Sequence, residues 1–194
     1  EDEIPGNGVD DDGNGYIDDV YGWNFYSGSN QVYTGSEDSH GTHGAGTIAA
    51  HADNDIGIAG IVRSDHVKVM AVKALGGWDG SGSTASIIRA IQYAEANGAR
   101  ICNLSLGSSR NDPALYRPIA ASDMLFVVAA GNDGADLELA PSYPASYHLD
   151  NLITVANLRY DGNLDPTSSY GASSVDLAAP GTHILSTTPG NSYS

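Results

Sequence analysis

Val67-Lys68-Val69-Met70-Ala71-Val72 is a short apolar run, and the pattern that follows it decides the fold. Residues 83–97 place Ile87, Ile88, Ile91 and Ala94 at helical spacing, with Gly98 as the stop. Residues 99–106 form a second strand-like run. Asp112-Pro113 reads as the N-cap and first residue of another helix, which Pro118 is expected to kink or divide. Residues 124–130 are almost wholly apolar and read as a third strand. Strand, helix, strand, helix, strand at this spacing predicts parallel strands with crossover helices on the faces. Residues 152–158 and 174–179 read as later strands. The expected class is α/β with a mainly parallel sheet, whose chemistry gathers in loops beyond the carboxyl ends of the strands.

Working outward, the 194 residues suit one domain or a piece of one, so residues 1–194 are read as a single unit. A hydrophobic fraction of 41% and a charged fraction of 16% fit a packed core rather than a disordered chain. Twenty-four acidic residues against eight basic ones leave a net charge of −16, which argues against nucleic acid and anionic membrane as partners, since both need clustered Lys and Arg. No apolar run approaches the roughly 18 residues of a membrane span. Cys102 alone excludes an internal disulfide framework and a cysteine-based zinc site. No basic leader precedes Glu1-Asp2-Glu3-Ile4-Pro5, so a signal segment is expected to be already removed or to lie outside an internal piece. Residues 1–19 hold eight acids and no base and read as loop. Trp23 and Phe25, among six aromatics from Tyr16 to Tyr33, read as packing.

Asp38-Ser39-His40-Gly41-Thr42-His43-Gly44-Ala45-Gly46-Thr47-Ile48-Ala49-Ala50 is dominated by small residues, which predicts a close neighbour to this backbone, and its Thr47–Ala50 end reads as helical. Two histidines three apart suggest a metal pair, but the glutamate of the zinc-protease helix is missing and no third ligand cluster follows. Two readings stay open. Both histidines are hydrogen-bonded core groups, or His40, at a helix start, is a general base.

From Ser39 to Thr47 the segment resembles the histidine motif of the subtilisin-like serine proteases, the subtilases. Asn103-Leu104-Ser105-Leu106-Gly107 resembles their substrate-binding strand, and Ala129-Ala130-Gly131-Asn132-Asp133-Gly134 their oxyanion segment. Tyr143-Pro144-Ala145, Ile153-Thr154-Val155-Ala156 and Leu177-Ala178-Ala179-Pro180-Gly181 also match, in order. Gly44 departs from the pattern, where valine is more usual. The resemblance implies a three-layer, subtilisin-like α/β fold truncated at both ends, and a secreted or extracellular serine endopeptidase acting on protein or peptide.

By the same resemblance His40 is the base and Asn132 donates its amide to the oxyanion. Gly80-Ser81-Gly82 would be an edge strand pairing with substrate backbone. Leu104-Ser105-Leu106-Gly107 would pair on the other side. Ala129, Ala130 and Gly131 would line the first specificity pocket, with Ser142 near its base and Thr84 leaving a second pocket open. The family's Asp-Thr-Gly and Gly-Thr-Ser segments, which carry the orienting carboxylate and the nucleophile, do not occur in these residues. The 194 residues alone are therefore expected to be inactive. A non-catalytic subtilase-fold protein that binds calcium or peptide is the alternative.

Asp10-Asp11-Asp12-Gly13-Asn14-Gly15-Tyr16-Ile17-Asp18 offers oxygens at alternating positions, as a calcium loop does: Asp10, Asp12, Asn14 and Asp18 through side chains and Tyr16 through its carbonyl. Tyr21 stands where an EF-hand needs its bidentate glutamate, so this is no full EF-hand. Residues 52–58 resemble a second subtilase Ca²⁺ loop, with a side chain from Asn54 and carbonyls from Ala52, Ile56 and Ile58.

Overall fold

Alternation of buried and half-exposed residues builds the largest sheet. In the computed structural model, which describes residues 3–63 and 66–194, strands β3 (Ile101–Leu104), β4 (Leu125–Ala129), β5 (Leu152–Leu158) and β6 (Leu177–Pro180) lie side by side in that order, all parallel. Phe126 and Val128 of β4 turn inward, as do Leu152, Thr154 and Ala156 of β5. Register runs Ile101↔Leu125, Phe126↔Leu152 and Val155↔Leu177. The one polar inward group on β5 is satisfied: Thr154 Oγ1 donates to the Ala145 carbonyl at 2.8 Å.

Helix α1 spans Ser39–Ala49, α2 Thr84–Ala96 and α3 Pro113–Ala121. Gly98 ends α2 as expected, at φ 82°. Asp112 caps α3 by accepting from the Ala114 N–H at 2.9 Å. Asn151 then closes the far end of α3, its amide reaching the Ile119 and Ser122 carbonyls at 2.9 and 3.0 Å. Pro118 does not divide this helix. Leu115 and Ile119, both buried, anchor it on either side of the proline, and that packing outweighs one missing backbone bond.

Strands β1 (Gly22–Asn24) and β2 (Ala71–Lys73) form a separate parallel pair, and β7 (Thr187–Thr188) with β8 (Ser192–Tyr193) a short antiparallel one. Gly22, at φ 125°, is required there, because a Cβ would fall 1.9 Å from the Ala71 carbonyl oxygen. Packing divides the chain into two compact units. One runs to Ala90 and includes Ile184–Ser194; the other is Ile91–His183.

Three expected strands are shorter or displaced. The run from Val67 is paired only over Ala71–Lys73, since β1 offers three partners, and Val67 and Val69 are left exposed. β3 stops at Leu104, where its register with β4 ends at Val128. β6 begins at Leu177 rather than Ser174, because Ser173 and Ser174 turn to Glu138, their N–H groups donating to Oε1 at 2.8 and 3.1 Å. Residues 3–19 hold no helix or strand; Glu1 and Asp2 of the acidic stretch lie outside the described residues. Tyr16 meets Trp23 and Phe25 edge-on at 4.9 and 5.5 Å, so these aromatics pack as expected.

Candidate active site

His40 is the second residue of α1, and its neighbourhood explains the small residues around it. The helix covers the whole histidine segment, not only its Thr47–Ala50 end. Its close neighbour is β7. A Cβ on Gly46 would lie 2.0 Å from Thr187 Oγ1, whereas Gly41 and Gly44 face open space. Ser186 Oγ donates to the His43 carbonyl at 2.7 Å and Thr187 Oγ1 to the Thr42 carbonyl at 2.9 Å. The two histidines separate here. His43 Nε2 lies 3.0 Å from the Ile184 carbonyl oxygen and is a structural group. His40 is exposed, and its ring hydrogen-bonds to nothing among the described residues. An unengaged imidazole at a helix start can still exchange a proton.

Residues 80–82 lie in the same unit, but not as a regular strand. Ser81 makes one antiparallel bridge to Gly76, and the Gly80 N–H turns back to the Gly77 carbonyl. Gly82 is explained by its own chain, for a Cβ would meet Leu75 Cδ2 at 2.6 Å and the Ala74 carbonyl oxygen at 2.8 Å. Gly80 has nothing within 4 Å, which leaves its backbone approachable.

The second unit holds the other candidates at the carboxyl ends of β3 and β4, where an α/β sheet places its chemistry. Leu104 is buried, and Ser105 and Gly107 are exposed beyond the last β3 pairing. Ser142 sits against Gly107, its Oγ 2.9 Å from where a Cβ would be. Ser108 and Tyr143 exchange both backbone bonds, at 2.8 and 2.9 Å, and fix that approach. Ala130 turns its side chain into the core, so it can line a groove only with main chain, while Ala129 is exposed. Gly131, at φ 110°, swings the chain out of β4, and its carbonyl accepts from the Ser169 N–H at 2.9 Å. Asn132 follows, exposed, its amide without an intramolecular partner among the described residues. Cys102 is no competing nucleophile, because burial pushes its thiol up to about 11.

The acidic loop folds differently from the alternating scheme. Asp10 accepts from the Asn14 and Gly15 N–H groups at 3.0 and 2.9 Å, and Asn14 Oδ1 accepts from the Tyr16 N–H at 2.8 Å. Asp18, at φ 55°, turns its carboxylate to the Asn7 and Gly8 N–H groups, both at 3.1 Å. Asp19 takes the inward place and is buried. Carboxylate oxygens of Glu3, Asp12 and Asp19 come within 4.8 Å of one another. Asn14 Nδ2 bridges Asp12 and Asp19 at 3.1 and 3.0 Å. Glu3 Oε2 is buried with no hydrogen-bond donor among the described residues. Burial, then the charges of Asp11, Asp12 and Asp19, push the Glu3 carboxyl above the ordinary glutamate range, against a bond from the Asp11 N–H. An orphaned carboxylate oxygen beside two more carboxylates is the donor set a hard cation fits. Asn54 in the second loop spends its oxygen on the Ile56 N–H at 3.1 Å.

The sequence model of the subtilase family matches residues 6–194. This chain belongs to the subtilase family. Its fold is accordingly the family's α/β fold. The chain is 41% identical over 157 residues to subtilisin Savinase of Lederbergia lenta, covering 79% of this subtilase and 55% of that protein. It is 37% identical over 177 residues to thermitase of Thermoactinomyces vulgaris, covering 90% and 60%. The alkaline protease of Shouchella clausii is 41% identical over 157 residues, 79% of this chain and 39% of that one. The chain thus spans roughly four to six tenths of the length of these relatives.

Proposed function

We propose that the full-length protein is a calcium-stabilised serine endopeptidase, and that His40 and Asn132 are two of its catalytic groups. The observation that carries this is the state of those side chains. In a family of proteases, the histidine of the matched motif and the asparagine after β4 are both exposed and unengaged, whereas the neighbouring His43 is tied to the Ile184 carbonyl. His40 would take the proton of a serine hydroxyl supplied from outside these residues and return it to the leaving amine. The Asn132 amide would donate to the oxygen that becomes negative as the carbonyl is attacked. The open Gly80 backbone would offer main-chain hydrogen bonds to an extended peptide, and in the other unit the exposed chain at Ser105 and Gly107 would do the same. Calcium would be held by Glu3, Asp12 and Asp19, with Asn14 beside them, and would supply stability by neutralising their charge. The 194 residues alone would not cleave peptides. Secretion of the full-length protein is part of the same proposal and rests on the family resemblance.

The test is labelling of the full-length protein with a serine-directed phosphonofluoridate. Labelling and peptide cleavage are both expected, and His40→Ala should abolish both. Cleavage that survives His40→Ala would overturn the assignment. A folded full-length protein that neither labels nor cleaves would support a non-catalytic, peptide- or calcium-binding role instead.

A further inference from the structure

We propose that Lys73 is a positioning residue for His40: its ammonium straps the entry of α1 to the end of β2 by holding Asp38, the residue before the helix. The inference rests on the reading of His40 as the general base.

Lys73 ends β2, and its side chain is 8% exposed. A buried ammonium has three donors to satisfy, and all three are used: Nζ donates to Thr34 Oγ1 at 2.8 Å, Glu37 Oε1 at 2.9 Å and Asp38 Oδ1 at 2.5 Å. Burial alone would pull the lysine down, but the bonds to Asp38 and Glu37 outweigh it and raise its pKa above the ordinary value.

Asp38 is the N-cap residue of α1 and yet makes no capping hydrogen bond. An aspartate at that position ordinarily accepts from an N–H of the first helical turn. Here Oδ1 is held by Lys73, and Oδ2 accepts from the Thr34 N–H at 2.6 Å and Thr34 Oγ1 at 2.9 Å. A 3-10 turn, Ser36–Asp38, leads straight into the helix, with the Ser39 N–H donating to the Ser36 carbonyl, and its last residue is tied to Lys73, 35 positions away. Further along the first turn, Thr42 Oγ1 donates to the Asp38 carbonyl at 2.8 Å, and Thr187 fixes the Thr42 carbonyl. His40 lies between these two anchorages. Its ring has no hydrogen bond among the described residues, so within them the backbone of the first turn is what sets where the ring stands, whatever carboxylate orients it in the full-length protein.

Removing the ammonium leaves two neighbouring carboxylates unneutralised and frees Asp38 Oδ1, while Oδ2 stays with Thr34. Either change re-aims the first turn. A misplacement of about 1 Å at a reacting group costs on the order of 10²-fold in rate.

The test uses the full-length protein and the variants Lys73→Met, Lys73→Arg, Asp38→Asn and the pair Lys73→Met/Asp38→Asn, assayed well below their melting temperatures. Lys73→Met is expected to lower kcat about tenfold or more, with KM changed much less, and Lys73→Arg to recover most of it. The paired variant should be no worse than Lys73→Met, because the strap is already cut. In NMR spectra the His40 imidazole resonance, assigned by its loss in His40→Ala, should move in Lys73→Met while those of His51 and His148 stay. An unmoved His40 resonance overturns the inference whatever the kinetics, and so does a kcat equal to wild type. Should Lys73→Met not fold, Asp38→Asn carries the same readouts. Activity surviving His40→Ala is a separate result: it removes the base assignment, and the resonance shift still decides whether Lys73 positions the residue.

Discussion

Asn132 and Asp19 show what a single position can and cannot disclose in a sequence. The role proposed for Asn132 could be read from the sequence because it needs only its own amide at the end of an apolar strand, and both features are local. Its removal gives a direct expectation. Asn132→Ala in the full-length protein should lower kcat by about 10²–10³ with KM little changed, the loss known for an oxyanion donor of a subtilisin and transferred here from that relative. A kcat within twofold of wild type would take Asn132 out of the chemistry. Asp19 is not legible in the same way. Counting alternate positions from Asp10 points to Asp18, and only the left-handed backbone there, φ 55°, sends the Asp18 carboxylate to the Asn7–Gly8 turn and Asp19 inward. Glu3 is harder still, since nothing local relates it to Asp12, nine residues on. The signal available was the acidity of residues 1–19 as a whole.

Elements were legible where one periodicity ran from end to end, and illegible where a neighbour decided the boundary. β5 is readable over Leu152–Leu158 because the run is almost wholly apolar or β-branched and only seven residues long. β2 and β3 are shorter than their apolar runs because strand length depends on the partner, and β1 offers β2 only three residues. The strap from β2 to α1 was invisible for the same reason: Lys73 and Asp38 are ordinary residues until the fold brings them together. It has a pH signature. Thr34 and then Lys73 hold Glu37 below its ordinary 4.5. Burial pushes Asp38 up, but Lys73 and Thr34 outweigh it and hold it below 3.8. Groups depressed in the folded state stabilise it above their unfolded values and lose that contribution as pH falls through the lower folded values. Lys73, raised, contributes below 10.5 and loses its share as pH climbs through the higher folded value. The stability gap between wild type and Lys73→Met should therefore be widest from about pH 5 to pH 10 and narrow toward pH 3. Urea midpoints at pH 3, 5 and 7 measure it. A gap of the same size at all three would mean that the ammonium does not neutralise these carboxylates.

At the scale of the molecule the governing quantity is charge. A net −16 on 194 residues repels itself in the compact state, and residues 1–19 concentrate eight of the 24 acids. Screening by any salt relieves the general repulsion, whereas a bound cation would also give a partner to the buried Glu3 Oε2, which has none among the described residues. The two contributions can be told apart. Binding to the folded form alone adds RT ln(1 + [L]/Kd), about 2.7 kcal/mol at a hundredfold excess over Kd, which for a chain of this size is a melting-temperature rise of about 5–10 °C. CaCl₂ should therefore raise the melting temperature by several degrees beyond NaCl of equal ionic strength. Glu3→Gln and Asp12→Ala should each remove most of that calcium-specific rise while keeping the response to NaCl. Asp18→Asn should keep the calcium-specific rise, since Asp18 serves the Asn7–Gly8 turn and not the cluster. Scanning calorimetry of wild type and these three variants measures it. Equal rises in CaCl₂ and NaCl would remove the site. Loss of the rise in Asp18→Asn with retention in Glu3→Gln would return the ligand set to the alternating positions from Asp10 to Asp18, and with it the simpler loop that counting along the chain suggests.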